Sequence, residues 1–261
     1  MSRRIPVILV VIFSLVSMNG MSQKWKLRRY EALGGIGTTH YFGTIGGSAD
    51  ENNLYGLKDI DILGTRPSFY AGIRYKIRPD MAVRVNYIYG FIHGDDANSK
   101  NAGRHAAFTS RIMEPSVQFE YSIISEEQKY RSAALFNKRG MVNNYSKINF
   151  YIFAGAGAVF AKVHPLDSLE SHPDYDPAKL KTAGLAIPAG GGIKYVINSD
   201  LSIGFEFGGR FTTSKYLDGL HTRFAKAPDL YYFALFNVVY RVRTSRRGAP
   251  ILFKRTASGM F

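Results

Sequence analysis

The chain has 261 residues, enough for one large domain or two small ones, and it is basic, with 34 Lys+Arg against 20 Asp+Glu. It has no cysteine, which excludes disulfides, thiol catalysis, cysteine-bound metal and a lipid-modified cysteine at a cleavage site.

At the N-terminus Arg3 and Arg4 precede an apolar run from Ile5 to Val16, followed by Gly20-Met21-Ser22. This layout predicts a secretory signal peptide over 1–22, because the apolar run is shorter than the roughly 20 residues of a spanning helix. The following residues alternate with a period of two, the strand signature. Eight strands are predicted, at 31–43, 65–78, 79–93, 108–124, 147–162, 184–197, 200–213 and 229–243. In 201–212, Leu201, Ile203, Phe205, Phe207 and Phe211 face one way, and Ser202, Gly204, Glu206, Gly208, Arg210 and Thr212 the other. The same dyad sets Val83, Val85, Tyr87 and Tyr89 against Arg84 and Asn86, and Val117, Phe119 and Tyr121 against Gln118 and Glu120. One face is glycine with a few charges, the other Phe, Ile, Val and Tyr. Small and charged residues suit the crowded interior of a narrow barrel, and an apolar face with aromatics suits lipid.

The expected fold is therefore all-β: a transmembrane antiparallel up-and-down β-barrel of about eight strands over 23–243, in contact with outer-membrane lipid. An even strand count closes the sheet without the free edges that lipid cannot satisfy. Arg78-Pro79-Asp80 and Asn198-Ser199-Asp200 read as tight turns. The connections at 44–64, 94–107, 163–183 and 214–228 are long and polar, and long outer loops with short periplasmic turns form the outer-membrane arrangement. The 125–146 connection is long on the side where short turns are expected. The lead 23–30 carries four basic residues and no acidic one, and Arg241 to the C-terminus carries six and none. A basic tail over 244–261 thus shares the periplasmic side with the lead.

The inward charges Arg74, Arg84, Glu120, Glu206 and Arg210, with Lys76, Glu114 and Lys194, are expected to neutralise one another as a plug, since buried charges need partners. No catalytic, cofactor-binding or metal residue is assigned. GxGxxG would need glycine at position 40, which is His40, and GxxxxGK[ST] is absent, so no nucleotide site is expected. No nucleic-acid-binding pattern accompanies the basic excess. His164, Asp167, His172, Asp174 and Asp176 gather in one predicted loop with three prolines. That composition favours a polar loop over a braced zinc site.

The order of four segments resembles a family of Bacteroidota outer-membrane β-barrels that includes the PorG component of the type IX secretion system. They are QKWKLRRYEALGGIGTTHYFGTIGG (23–47), LKDIDILGTRPSFYAGIRYKI (57–77), YGFIHGDD (89–96) and AIPAGGGIKYVINSDLSIGFEFGGRFTTSKYLD (186–218). The resemblance implies a non-enzymatic component of the cell outer membrane that links it to periplasmic secretion-ring proteins. On that expectation Arg241, Arg243, Arg246, Arg247, Lys254 and Arg255, with the 125–146 connection, touch the partner. Two other roles stay open: a stand-alone OmpA/OmpW-like barrel for adhesion or small-molecule passage, and a lipid-A-modifying barrel enzyme.

Overall fold

The computed structural model describes residues 24–43, 45–46, 64–97, 99, 102–126, 146–173, 175–220, 229–245 and 250. The predicted signal peptide lies outside them. Eight strands run in chain order: β1 (Tyr30–Phe42), β2 (Arg66–Lys76), β3 (Met81–Asp95), β4 (Ala106–Ile124), β5 (Ile148–Asp167), β6 (Lys181–Val196), β7 (Leu201–Thr212) and β8 (Leu230–Val242). Each pairs antiparallel with its neighbour, and β1 pairs with β8 from Tyr30–Val242 to Phe42–Leu230. The sheet is a closed eight-stranded barrel.

The turns follow from local chemistry. The Asn198 side-chain carbonyl accepts from the backbone amides of Asp200 and Leu201 at 2.9 and 2.7 Å, an Asx turn that reverses the chain between β6 and β7. Between β2 and β3, the Ile77 amide donates to the Met81 carbonyl at 2.9 Å across Pro79-Asp80. Both tight turns share one end with the ends of β1 and β8, which is the periplasmic end of an outer-membrane barrel.

At the opposite end the strands outrun the expectation. Residues 163–167, expected in a loop, continue β5 in register with β4 up to Ala106–Asp167, and β6 begins at Lys181. β3, β4 and β5, paired up to Asp95–Ala107 and Ala106–Asp167, therefore project together beyond the shorter strands.

The outward positions form an apolar wall. Ile36, Ile73, Val85, Val117, Phe119, Ile152, Leu185 and Phe236 are all exposed. On β4 this wall runs from Ile123 up to Met113. Ten residues at ~3.3 Å, tilted by ~40°, rise about 25 Å, the height of the apolar band of an outer-membrane barrel. In water such a wall would be an aggregation surface; in lipid it is the solvated face. The closed sheet and its apolar band make this an outer-membrane protein.

Inward positions change chemistry along the barrel axis. The periplasmic half is charged, while the outer half is filled by Ile88, Ile92, Phe108, Ile112, Val159 and Phe233. Ile45, Leu169, Leu217 and Leu220, from the outer connections, are buried in the same apolar cluster. The alternation predicted a polar interior, and its outer half is instead largely apolar, packed around the Arg210–Glu114 pair.

Candidate functional site

The periplasmic half of the lumen is one connected ion-pair network. Arg74 on β2 meets Glu31 on β1 at 2.8 Å and Glu120 on β4 at 2.6 Å. Arg84 on β3 meets Glu120 at 2.8 Å and also pairs with Glu206 on β7. Glu206 accepts further from the Tyr151 hydroxyl at 2.7 Å and the Asn237 amide at 3.0 Å. The guanidinium of Arg84 also lies over the Phe153 ring, 5.3 Å from its centre. Every expected member except Arg210 and Glu114 is in this network. Arg210 sits nearer the outer mouth, where it pairs with Glu114 at 3.4 Å and Tyr231 donates to the same carboxylate at 2.8 Å.

The network extends to the periplasmic mouth through residues that the sequence reading assigned elsewhere. Glu126, just past β4, was expected in the connection that touches the partner, yet it is buried. Its carboxylate lies 2.9 Å from Lys76, 2.7 Å from Lys194 and 3.1 Å from Arg241. Arg241, expected to touch a partner, is instead a lumen residue, because its position in β8 turns it inward, and it also meets Glu31 at 3.4 Å. The cluster thus holds Arg74, Lys76, Arg84, Lys194 and Arg241 against Glu31, Glu120, Glu126 and Glu206. The space left beside it is about 10 Å³, room for a single water.

The outer mouth is held differently. Tyr41, near the outer end of β1, turns inward and donates to the Asp229 carboxylate at 2.9 Å. That carboxylate also accepts from the Leu217 amide at 2.8 Å, which fixes one of the apolar stoppers. Burial, with Asp218 beside it, pushes the Asp229 carboxyl well above its ordinary range.

Outside the lumen, the segments flanking β1 and β8 meet at the periplasmic rim. The Thr244 amide donates to the Leu27 carbonyl at 2.8 Å, and its hydroxyl reaches the Lys26 carbonyl at 3.3 Å. Arg28 and Arg243 converge on Asp200 of the β6–β7 turn at 3.2 and 3.1 Å. The hydrogen bond from Arg243 is the main reason that the Asp200 carboxyl falls below its usual range. Arg243 itself stays 64% exposed. Arg246, Arg247, Lys254 and Arg255 lie outside the described residues, as does 127–145 of the long connection.

No curated protein matches the chain. Solved structures to which it is similar include Neisserial surface protein A, at 9% identity and TM-score 0.45, covering 81% of this chain and 96% of that one. A major outer membrane protein from Thermus thermophilus has 10% identity and TM-score 0.42, covering 81% and 99%. The N-terminal β-barrel domain of Pseudomonas aeruginosa OprF has 11% identity and TM-score 0.39, covering 82% and 97%. The family model described as Domain of unknown function (DUF6089) matches residues 8–238, and the chain belongs to that family.

Proposed function

We propose that this barrel is a non-enzymatic anchor that holds a periplasmic protein assembly to the outer membrane, and that the assembly is the ring of a type IX secretion system. One observation carries the reading: the periplasmic rim is a braced basic platform. Arg28 and Arg243 share one carboxylate, Asp200, and leave net positive charge on a surface fixed by the Thr244–Leu27 hydrogen bond. A braced cationic surface favours an acidic partner through complementary charge. The filled lumen argues for a mechanical role over a diffusion pore. The type IX assignment rests on the sequence resemblance over 23–47, 57–77, 89–96 and 186–218.

The test is co-purification. Arg243, Arg246, Arg247, Lys254 and Arg255 are replaced together by glutamate, with Arg241 left intact because it belongs to the lumen. Loss of periplasmic ring proteins from the purified barrel, with secretion reduced, is the expected result. Unchanged recovery counts against the docking surface.

A second reading is a stand-alone barrel acting at the cell surface, favoured by β3, β4 and β5, which extend together past the other strands at the outer end. Intact secretion in a deletion strain with altered surface adhesion would select it.

A further inference from the structure

Three cations stand side by side on the outward wall of the barrel. Arg111 on β4 is in register with Lys162 on β5, and Lys162 with Lys181 at the start of β6. Their strand neighbours Ser110, Ile112, Ala161 and Val163 are buried in the lumen, so the three side chains point away from it. Lys162 and Lys181 are exposed, and Arg111 is half-buried.

Residues in direct register on neighbouring strands have Cβ atoms about 4.5–5.5 Å apart, where like charges repel. None of the three makes a side-chain ion pair with a described residue. Lysines that merely reach for water at a membrane boundary gain nothing from being adjacent, and repulsion favours spreading them around the ring. Concentrating three on consecutive strands is stable when an anion sits among them.

Their height on the barrel identifies the anion's carrier. Directly below the row, toward the membrane centre, the outward residues are Met113 on β4, Phe160 on β5, and Ala183 then Leu185 on β6. Directly above it are His93, Thr109 and His164, a polar row. The cations therefore lie where the apolar band ends, at the depth of the outer-leaflet headgroups. A free phosphate would use only the charges, whereas a lipid uses the charges and the apolar wall beneath them.

We infer that Arg111, Lys162 and Lys181 form a binding site for the phosphate of an anionic outer-leaflet lipid, whose acyl chains lie along Met113, Phe160 and Leu185. Arg111 supplies a planar fork for phosphate oxygens, and the two lysines supply point charges on flexible stems. The site lies at the end of the barrel opposite the basic rim and does not depend on the docking reading.

The experiment uses the full-length barrel purified in neutral detergent, incubated with bisphosphorylated lipid A or its dephosphorylated form, and read by native mass spectrometry. Retention of the phosphorylated form about a hundredfold above the dephosphorylated one is expected, since three cations near an anionic headgroup, at about 1 kcal/mol each, sum to about two decades in affinity. The triple variant Arg111→Gln/Lys162→Gln/Lys181→Gln should lose this preference while keeping the heat-dependent gel shift of a folded barrel. Millimolar inorganic phosphate should not displace the lipid. Equal retention of the two lipid forms by the unmodified protein overturns the inference, whatever the variant does. So does an undiminished preference in a folded triple variant, or displacement by free phosphate.

Discussion

The Glu126 carboxylate lies 2.7 Å from the Lys194 ammonium, so the first residues after β4 reach back into the periplasmic mouth and neutralise cations contributed by three other strands. Replacing Glu126 by glutamine keeps the shape and removes the charge. Lys76, Lys194 and Arg241 would then share Glu31 as their nearest carboxylate. Breaking a buried pair in this way costs about 3–5 kcal/mol. The expected outcome is a lower urea midpoint for loss of the folded gel band in Glu126→Gln. A Lys147→Gln control, at an exposed periplasmic position, should leave it unchanged.

The filled lumen has an electrical consequence. With charged side chains packed through the periplasmic half and mostly apolar ones through the outer half, no continuous water column joins the two ends among the described residues. Planar-bilayer recordings of the reconstituted protein should show no steady unitary conductance. The double variant Arg84→Ser/Glu206→Ser removes a matched pair from the middle of the network and should raise ion leakage above the wild-type baseline. A wild-type conductance of porin size would contradict the packing described.

Closure depends on close approach of the β1 and β8 backbones at Gly35 and Gly37. A Cβ at Gly35 would collide with the Phe236 carbonyl and stand 2.8 Å from the Asn237 Cα across the β1–β8 seam. These are backbone atoms with no room to yield. Gly35→Val should therefore abolish the folded band after refolding into detergent. At Gly103 an added Cβ has nothing within 4 Å, and Gly103→Ala should refold as wild type.

Acid acts with opposite sign at the two ends. The Asp200 carboxyl is held below its ordinary value of 3.8, so the rim clamp is fully present above that pH and is lost as pH falls through the lowered value. The Asp229 carboxyl is raised above 3.8, so its favourable contribution is full below that pH and declines as pH rises through the raised value. Asp200→Asn should remove the acid-induced release of the C-terminal segment, followed by limited proteolysis. Asp229→Asn should flatten the decline in urea midpoint toward alkaline pH.

Much of the fold was legible because a barrel strand writes its two faces as alternate residues. Arg74, Arg84, Glu120 and Glu206 were found together for that reason: each is an isolated charge on a glycine-rich inward face. Arg241 was missed although the alternation reaches it, because the run of basic residues beyond it reads as a single solvated tail. Glu126 gives no local signal, since nothing in Ser125-Glu126 marks a residue that folds back into the mouth. The apolar outer half escaped notice because Ile88, Ile112 and Val159 break the rule that inward means polar. Register, which brings Arg111, Lys162 and Lys181 abreast, depends on how three separate strands align and is not written in any one of them.

The seam between Tyr30 and Val242 sets the order of assembly. These residues are the most distant strand partners in the chain, so the barrel cannot close until β8 has arrived. Until then β1 carries an unpaired edge that lipid cannot satisfy. The Thr244–Leu27 hydrogen bond lies just beyond the last seam pair, and so becomes available only once the ring is complete. Any surface braced by that bond reports the finished state: a partner that recognises the joined ends would engage mature barrels and pass over those still open.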